Sequence, residues 1–250
     1  MFFKRRKADH QTMKFGAKLI TIAKPQSVVS EQFRTIRTNI GFMGIDQPLK
    51  TIAFTSAHVS EGKSTVTANV AITMAQAGKH TLLIDADLRR PTLHQSFGLD
   101  NRTGLTTVLT SAENKLQIQN MMQESPIPNL TLLTSGPLPP NPAELLSSKR
   151  MGVLIDTLKQ YYDMIILDLS PLLEVSDTQS LAHELDGVVL VVRQNVTQKM
   201  AVKRAVDMLK ISKSHLLGYV FNDVSAGDAG YGYGYGYGYG YGYGEKPKKS

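Results

Sequence analysis

The sequence predicts a doubly wound α/β fold with a mainly parallel sheet and helices on both faces. Three observations carry that prediction. Short apolar runs alternate along the chain with longer stretches of helical period. One loop, Ala57-His58-Val59-Ser60-Glu61-Gly62-Lys63-Ser64-Thr65, joins the first apolar run to the helix that follows it. Polar residues then stand at the ends of later runs: Asp85, Asp87, Asp168 and Asn222. In open α/β sheets the carboxyl ends of the strands border the ligand crevice. These side chains are therefore expected to converge with Lys63, and the convergence is stronger evidence than any one motif.

The loop has the chemistry of a phosphate cradle. A strand candidate, Thr51 to Thr55, leads into it, and a helix candidate, Ser64 to Ala77, leaves it. Such a junction aims backbone N–H groups and the positive end of the helix dipole at one spot. Ser60, Glu61, Gly62, Lys63, Ser64 and Thr65 are the candidate nucleotide contacts. Lys63 adds a mobile positive charge for the β/γ-phosphates, and the Ser64 hydroxyl is a candidate Mg²⁺ ligand. The pattern is a Walker A loop with Ala57 at its first glycine position, and Ser60 where glycine is common. Both replacements are expected to keep the backbone at ordinary φ/ψ values. A Gly-Lys turn arising by chance would not come with strand, loop and helix in this order.

Composition sets the bounds. A chain of 250 residues, 42% of them apolar, can bury one good core. The absence of cysteine fits a reducing compartment. No run of about 18 apolar residues is present, and the basic N-terminus has no apolar stretch behind it as a secretion signal would. These features predict a cytoplasmic protein. The net charge of +7 is concentrated at the ends. Residues 1–18 carry six Lys/Arg against one Asp, residues 245–250 three Lys against one Glu, and the stretch between is neutral. A nucleic-acid-binding domain would show its basic surface on the folded body. Charged ends fit solvated tails or weak attraction to an acidic membrane face.

Taken in order, residues 1–25 read as a basic, mostly extended lead-in, 26–224 as the phosphate-binding domain and 225–250 as a flexible tail. Ser30 is expected to cap a helix whose buried stripe is Phe33, Ile36 and Ile40. Glu31, Arg34 and Arg37 fall at three-residue steps on another face, fitting either local salt bridges or a charged ridge against a neighbouring subunit. Gly78 should end the helix after the loop. His80 to Ile84 is the second strand, and it runs into Asp85-Ala86-Asp87-Leu88-Arg89. Alternate residues of an extended chain face the same way. Asp85 and Asp87 can thus reach one site, where two close carboxylates favour a cation between them. Gly104 to Leu109 is a short helix candidate and Leu130 to Thr134 the third strand. Pro142 starts a helix running to about Tyr161. Met164 to Leu167 is the fourth strand; its ending in Asp168 is a Walker B pattern. A helix over Ser176 to Glu184, a strand over Gly187 to Val192, a helix capped by Thr197 and running to Ile211, and a strand over Leu216 to Phe221 complete the plan.

The tail alternates Tyr and Gly from Gly230 to Gly244, placing tyrosines at Tyr231, Tyr233, Tyr235, Tyr237, Tyr239, Tyr241 and Tyr243. Alternating glycine has too much entropy to order for the little it could bury. Phenols beside a nucleotide site are also phosphate acceptors, each phosphorylation adding roughly −1.5 to −2 charges.

These motifs together resemble the bacterial tyrosine kinases of the polysaccharide-export type, over roughly residues 25–244. Ala57 to Ser64 matches their Walker A, Ile84 to Arg89 their second acidic motif, and Ile165 to Asp168 their Walker B. Glu31-x-x-Arg34-x-x-Arg37 matches the motif through which they form rings. Pro139-Pro140-Asn141-Pro142 with Glu144-Leu145-Leu146 is family-like, and the tail matches their autophosphorylated end. Leu169-Ser170-Pro171 departs from the usual Thr-Pro-Pro, and Ser60 from a common glycine.

The resemblance implies a P-loop tyrosine autokinase using ATP and Mg²⁺. Lys63, Asp85, Asp87 and Asp168 would be catalytic, with Ser64, Asp85 and Asp168 at the metal. Thr65 would contact the α-phosphate and Asn222 the adenine; Arg89 would steady the acidic loop or the phosphates. Glu31, Arg34 and Arg37 would form the subunit interface of a homo-oligomeric ring. The resemblance further implies a separate membrane-spanning activator that recruits the kinase to the inner face of the membrane, and a role in capsule or exopolysaccharide production. Competing readings are a nonenzymatic ATP-dependent assembly switch of the partitioning or division-site type, and an adaptor of the polysaccharide machinery. The switch proteins usually carry a lysine where His58 stands, and lack a Tyr-Gly tail.

Overall fold

A computed structural model describes residues 16–111 and 118–224; residues 1–15 and all the tail tyrosines lie outside them. Helices α1 (Ile20–Ala23) and α2 (Val28–Met43) precede β1 (Thr51–Ser56) and α3 (Lys63–Gln76). Then come β2 (Thr81–Ala86), α4 (Leu93–Phe97), α5 (Leu105–Thr110), a 3-10 turn (Ile118–Met121), β3 (Gln123–Glu124) and β4 (Leu130–Leu133). The chain continues through α6 (Pro142–Leu146), α7 (Lys149–Leu158), β5 (Met164–Leu169), α8 (Asp177–Ala182), β6 (Gly187–Arg193), α9 (Lys199–Ile211) and β7 (Leu216–Asn222).

The strands form one sheet in the order β3-β4-β2-β5-β1-β6-β7. Every pairing is parallel except β3 with β4. The central strands are buried on both faces, which is why they read as continuous apolar runs. Their alternate residues feed two cores. Ala53, Leu82, Ile84, Ile165, Leu167 and Leu190 meet α5 to α9 on one face. Ile52, Phe54, Leu83, Ile166, Val189 and Val191 meet α2, α3 and α4 on the other. Each such Leu, Ile or Phe contributes roughly 1.5–3 kcal/mol when fully buried.

Several boundaries differ from the sequence expectation, each for a local reason. The lead-in is not extended throughout, since Ile20–Ala23 is helical. It is also fastened down: Ser96 Oγ accepts from the Ala17 N–H at 2.7 Å, and Asn69 Oδ1 from the Thr21 N–H at 3.0 Å. The cap of α2 is Ser27, not Ser30; its side chain accepts the Ser30 N–H. Ser30 is buried inside the first turn, where its hydroxyl donates to Lys24 O at 2.7 Å. The expected stripe holds, with Phe33 and Ile40 buried and Ile36 packed against them.

The helix expected from Pro142 to Tyr161 is two helices. Ser148 takes the Met151 N–H and starts the second one, turning the chain between them. Gln198 rather than Thr197 precedes α9. The two-residue β3 has no period to reveal it. Gly78 follows α3 at φ +87°, the left-handed exit expected there. Among the described residues, no helix is long and apolar enough to cross a membrane.

Candidate active site

β1, β2, β5, β6 and β7 all end on one side of a cavity of about 300 Å³. Its walls include Ser60, Glu61, Gly62, Lys63, Ser64, Thr65, Asp87 and Asn222. Asp85 and Asp168 are register partners on the neighbouring strands β2 and β5, both fully buried. The parallel ladder therefore sets the two acids side by side.

Lys63 lies among three of the predicted acids. Its ammonium is 2.8 Å from Asp168 Oδ1 and 3.4 Å from Asp87 Oδ2, and donates to Ser64 Oγ at 3.3 Å. Asp168 Oδ1 also receives the Thr67 hydroxyl at 3.0 Å. Asp85 Oδ2 accepts the backbone N–H groups of Thr92 and Leu93 at 3.1 and 3.0 Å. Asp87 Oδ1 accepts the Ser170 hydroxyl at 2.8 Å and the Arg90 N–H at 3.1 Å. The departure from Thr-Pro-Pro thus has a structural role, because a hydroxyl at position 170 holds Asp87.

The electrostatics separate the acids. Burial pushes Asp85 well above the usual carboxylate range, and the charge of Asp168 adds to this against the Leu93 N–H. Burial also raises Asp168, with Lys63 opposing. Asp87 is held below the usual range, because Lys63, Ser170 and the Arg90 N–H outweigh its burial. Burial opposes the charge on Lys63, but Asp168 and Asp87 keep its pKa raised.

Two buried carboxylate oxygens, Asp85 Oδ1 and Asp168 Oδ2, have no hydrogen-bond partner in the structure. Buried polar atoms are normally satisfied. Two orphaned oxygens on adjacent strands, with the Ser64 hydroxyl nearby, fit a hard cation. Mg²⁺ takes one or two carboxylates and otherwise uses water and phosphate oxygens. This suits a cluster that lacks a full protein cage: among the described residues no set of three or more His, Cys, Asp or Glu side chains could hold a metal alone.

The loop departs from expectation at Ser60, which adopts φ +62° rather than an ordinary value. It takes the conformation a glycine would supply, at a cost of about 1–2 kcal/mol. Arg193, at the end of β6, donates to Ser60 O at 3.1 Å and to Asp223 Oδ2 at 2.9 Å. Glu61 does not aim its side chain at the cavity. Its Oε2 accepts the Ala57 N–H at 2.9 Å and its Oε1 the Thr197 hydroxyl at 2.6 Å, so it braces the loop from within. Asn222 reaches the cavity wall, and its amide donates to Glu61 O at 2.9 Å. Arg89 turns away to form a two-bond pair with Asp177, at 2.8 and 3.1 Å. It is not among the residues that line the cavity.

Gly62 is at φ +86°, and a Cβ there would stand 1.9 Å from Asn222 Nδ2. Gly62→Ala is expected to lose at least about 1 kcal/mol from its left-handed backbone, and to weaken nucleotide binding ten-fold or more. Urea unfolding and a fluorescent-nucleotide titration read both. Unchanged binding would show that the loop tolerates displacement of Asn222.

The ridge on α2 is engaged within the chain. Arg34 donates to Glu31 at 2.6 Å and to Pro25 O at 2.6 Å, while Arg37 donates to Thr73 O at 3.2 Å. Sequence reasoning missed Lys18, Arg90, Thr92 and Arg193 at the cavity. Arg193 carried a usable signal, since it ends a buried strand just as Asp168 does. The other three carried none.

Residues 49–216 match the AAA domain family. Tyrosine-protein kinase YwqD of Bacillus subtilis (strain 168) is 48% identical over 204 residues, covering 82% of this chain and 85% of that protein. The chain belongs to the bacterial tyrosine kinases. Among solved structures of this kinase type, the chimerical protein CapA2B2 superposes with a TM-score of 0.78 at 36% identity, covering 87% of this chain and 99% of that one. The septum site-determining protein MinD of Pyrococcus horikoshii OT3 superposes with a TM-score of 0.58 at 22% identity, over 69% of this chain and 70% of its own. That likeness extends to the fold alone. The chemistry of a tyrosine kinase is phosphoryl transfer from a nucleotide to a phenol.

Proposed function

We propose that this kinase transfers the γ-phosphoryl group of ATP to its own C-terminal tyrosines, on a neighbouring subunit. The supporting observation is the Lys63 ammonium set between Asp168 and Asp87 at the lip of the phosphate loop. In the transfer, the phenol oxygen forms a bond to the γ-phosphorus as the bond to the β,γ-bridging oxygen breaks. ADP leaves, and the phenol proton passes to Asp87 or to water. Positioning and charge neutralisation supply most of such catalysis.

Lys63 holds the transferring phosphate, and Thr65 contacts the α-phosphate. Ser64, Asp85 and Asp168 would hold Mg²⁺, directly or through water; bound there it would neutralise phosphate charge. Asp87, kept ionised by its neighbours, orients the phenol by accepting a hydrogen bond from its hydroxyl; its lowered pKa makes it a weak base, so it takes the proton only as the phenol oxygen bonds to phosphorus. Asn222 meets the base with the part of its amide not engaged by Glu61.

The kinase unit is assigned to residues 26–224, with the basic lead-in 1–25 before it and the acceptor tail 225–250 after it. Glu31, Arg34 and Arg37 are assigned to a ring interface. Glu31 presents the most exposed side chain, with Arg34 half-buried beside it. The unmodified tail enters a neighbour's site and holds the ring; the tail leaves once phosphorylation along the repeat has made it strongly acidic. The cellular setting is capsule or exopolysaccharide production at the inner face of the membrane, beside a separate membrane-spanning activator. That setting rests on the motif resemblance. The assembly-switch alternative has only the fold in its favour: His58 pairs with Glu174 at 2.9 Å and does not line the cavity.

A mixing experiment tests the transfer. A full-length Lys63→Met chain is the acceptor, and an active chain truncated at Gly230 is the donor. Labelled phosphate should appear on the tail tyrosines of the acceptor when ATP and Mg²⁺ are added. Label confined to the donor, or found on the folded body, would remove the tail from the reaction.

A further inference from the structure

The cavity has polar lining residues that the transfer reaction leaves unused. Lys18 and Arg90 both line it, and among the described residues neither side chain has an ion-pair partner. Thr92 lines the same cavity and bonds Asp85 through its N–H; it is 5% exposed, and its hydroxyl has no hydrogen-bond partner in the structure. An orphaned hydroxyl beside two unpaired cations fits an anion with several acceptor oxygens. The placement is built in. Lys18 sits on the lead-in anchored through Ala17 to Ser96 and through its own carbonyl to Asn69. Arg90 is three residues beyond Asp87, and its N–H is bonded to that carboxylate. Arg193, also on the cavity wall, differs in being committed to Asp223 and Ser60.

We propose that Lys18, Arg90 and Thr92 form a subsite for a phosphotyrosine already made on the tail, next to the tyrosine being modified. The proposal rests on the tail being the acceptor. Residues 230–244 are Tyr and Gly alone and carry no charge before modification, so nothing in the unmodified repeat draws it to these cations. Each transfer creates a dianion that they can hold. In an extended chain, residues two apart lie on one side and about 6.6–6.8 Å from each other. With one tyrosine at Asp87, its modified neighbour lies one repeat along the chain, and Arg90, on the same cavity wall, supplies a cation for it. The first phosphorylation then raises the tail's affinity for the site, and later transfers run along the repeat without full release.

Intact mass over time, with the full chain, ATP and Mg²⁺, reads this directly. The wild type should show heavily modified chains while unmodified chains persist. In Lys18→Ala/Arg90→Ala the second and later transfers should slow at least five-fold more than the first, and species should appear one phosphate at a time. A chain with Tyr237 as its sole tail tyrosine separates the ligand sources. If its single transfer slows in the double variant as much as the later transfers do, the cations serve ATP and the subsite is overturned. A wild-type mass pattern in the double variant overturns it too, and leaves the tail reading intact. No phosphotyrosine in the wild-type tail would end both. Independently of turnover, a Gly-phosphotyrosine-Gly peptide should bind the full-length wild type at least ten-fold more tightly than the double variant; equal binding overturns the subsite.

Discussion

Lys63→Met abolishes phosphotyrosine formation while the chain still folds. The expected loss is at least about 10³-fold, or about 4 kcal/mol of barrier, because the ammonium is held against Asp87 and Asp168 at the phosphate loop. Its removal takes away the fixed charge that meets the developing negative charge on the transferred group. Folding needs a separate argument, since Lys63 is buried with Asp168. Breaking a buried pair by deleting one partner costs about 3–5 kcal/mol when the other charge stays. Here it need not stay. The pKa of Asp168 is already raised by burial, and without the ammonium it takes up a proton more easily still. The variant should remain folded but lose stability as pH rises, while the wild type loses less. Circular dichroism and labelled ATP with Mg²⁺ check both parts. Normal phosphotyrosine in a folded Lys63→Met chain would refute the assignment of Lys63.

How far this site could be read in advance depends on the kind of signal each residue carries. Strands buried on both faces must be apolar along their whole length, so β1, β2, β5 and β6 announced themselves. A polar residue ending such a run stands out against it, and this exposed Asp85 and Asp168; Asn222 ends the half-exposed edge strand β7 and stood out by its position alone. The phosphate loop was legible because its chemistry is local in sequence. Choices between near-equivalent residues were not legible. Ser27 and Ser30 are both good caps, and burial of Ser30 against Lys24 decides between them. Ser147-Ser148 gave no sign of dividing a helix until Ser148 took up the Met151 N–H. Glu61 matched a nucleotide contact by position, but its carboxylate serves the loop through Ala57 and Thr197, a partner far along the chain. Ser60 shows that tertiary contacts, here the bond from Arg193, can hold a side-chain-bearing residue where glycine was expected. The rim of Lys18, Arg90 and Thr92 is assembled from separate segments, and no spacing rule connects them.

Asp85→Asn should raise the stability of the cation-free protein and destroy its activity together. Asp85 is fully buried, its Oδ1 is without a partner, and its pKa is well above the usual range. A carboxyl whose pKa is raised on folding contributes most at pH values below its unfolded pKa. That contribution is lost as pH climbs through the folded value. Near neutral pH without Mg²⁺ the wild type therefore meets the cost of burying this carboxyl, either as a charge or by taking up a proton, and an amide removes that cost while keeping an oxygen for the Thr92 and Leu93 N–H groups. The expected gain is roughly 1–3 kcal/mol, or about 2–4 °C in Tm for each kcal/mol in a domain of this size. Adding Mg²⁺ with nucleotide should stabilise the wild type and largely fail to stabilise the variant, with activity down about 10²-fold or more. Asp87→Asn should behave oppositely. The depressed pKa of Asp87 means that its carboxylate stabilises the fold above the unfolded pKa, and that this is lost only as pH falls through the lower folded value. Removing that charge takes away the partner of Lys63, Ser170 and the Arg90 N–H and gains nothing. Thermal melts of the two variants at neutral pH, with and without Mg²⁺, decide the matter. Shifts of the same sign would mean that the two carboxylates do not occupy the different environments on which the division between cation holder and phenol acceptor depends.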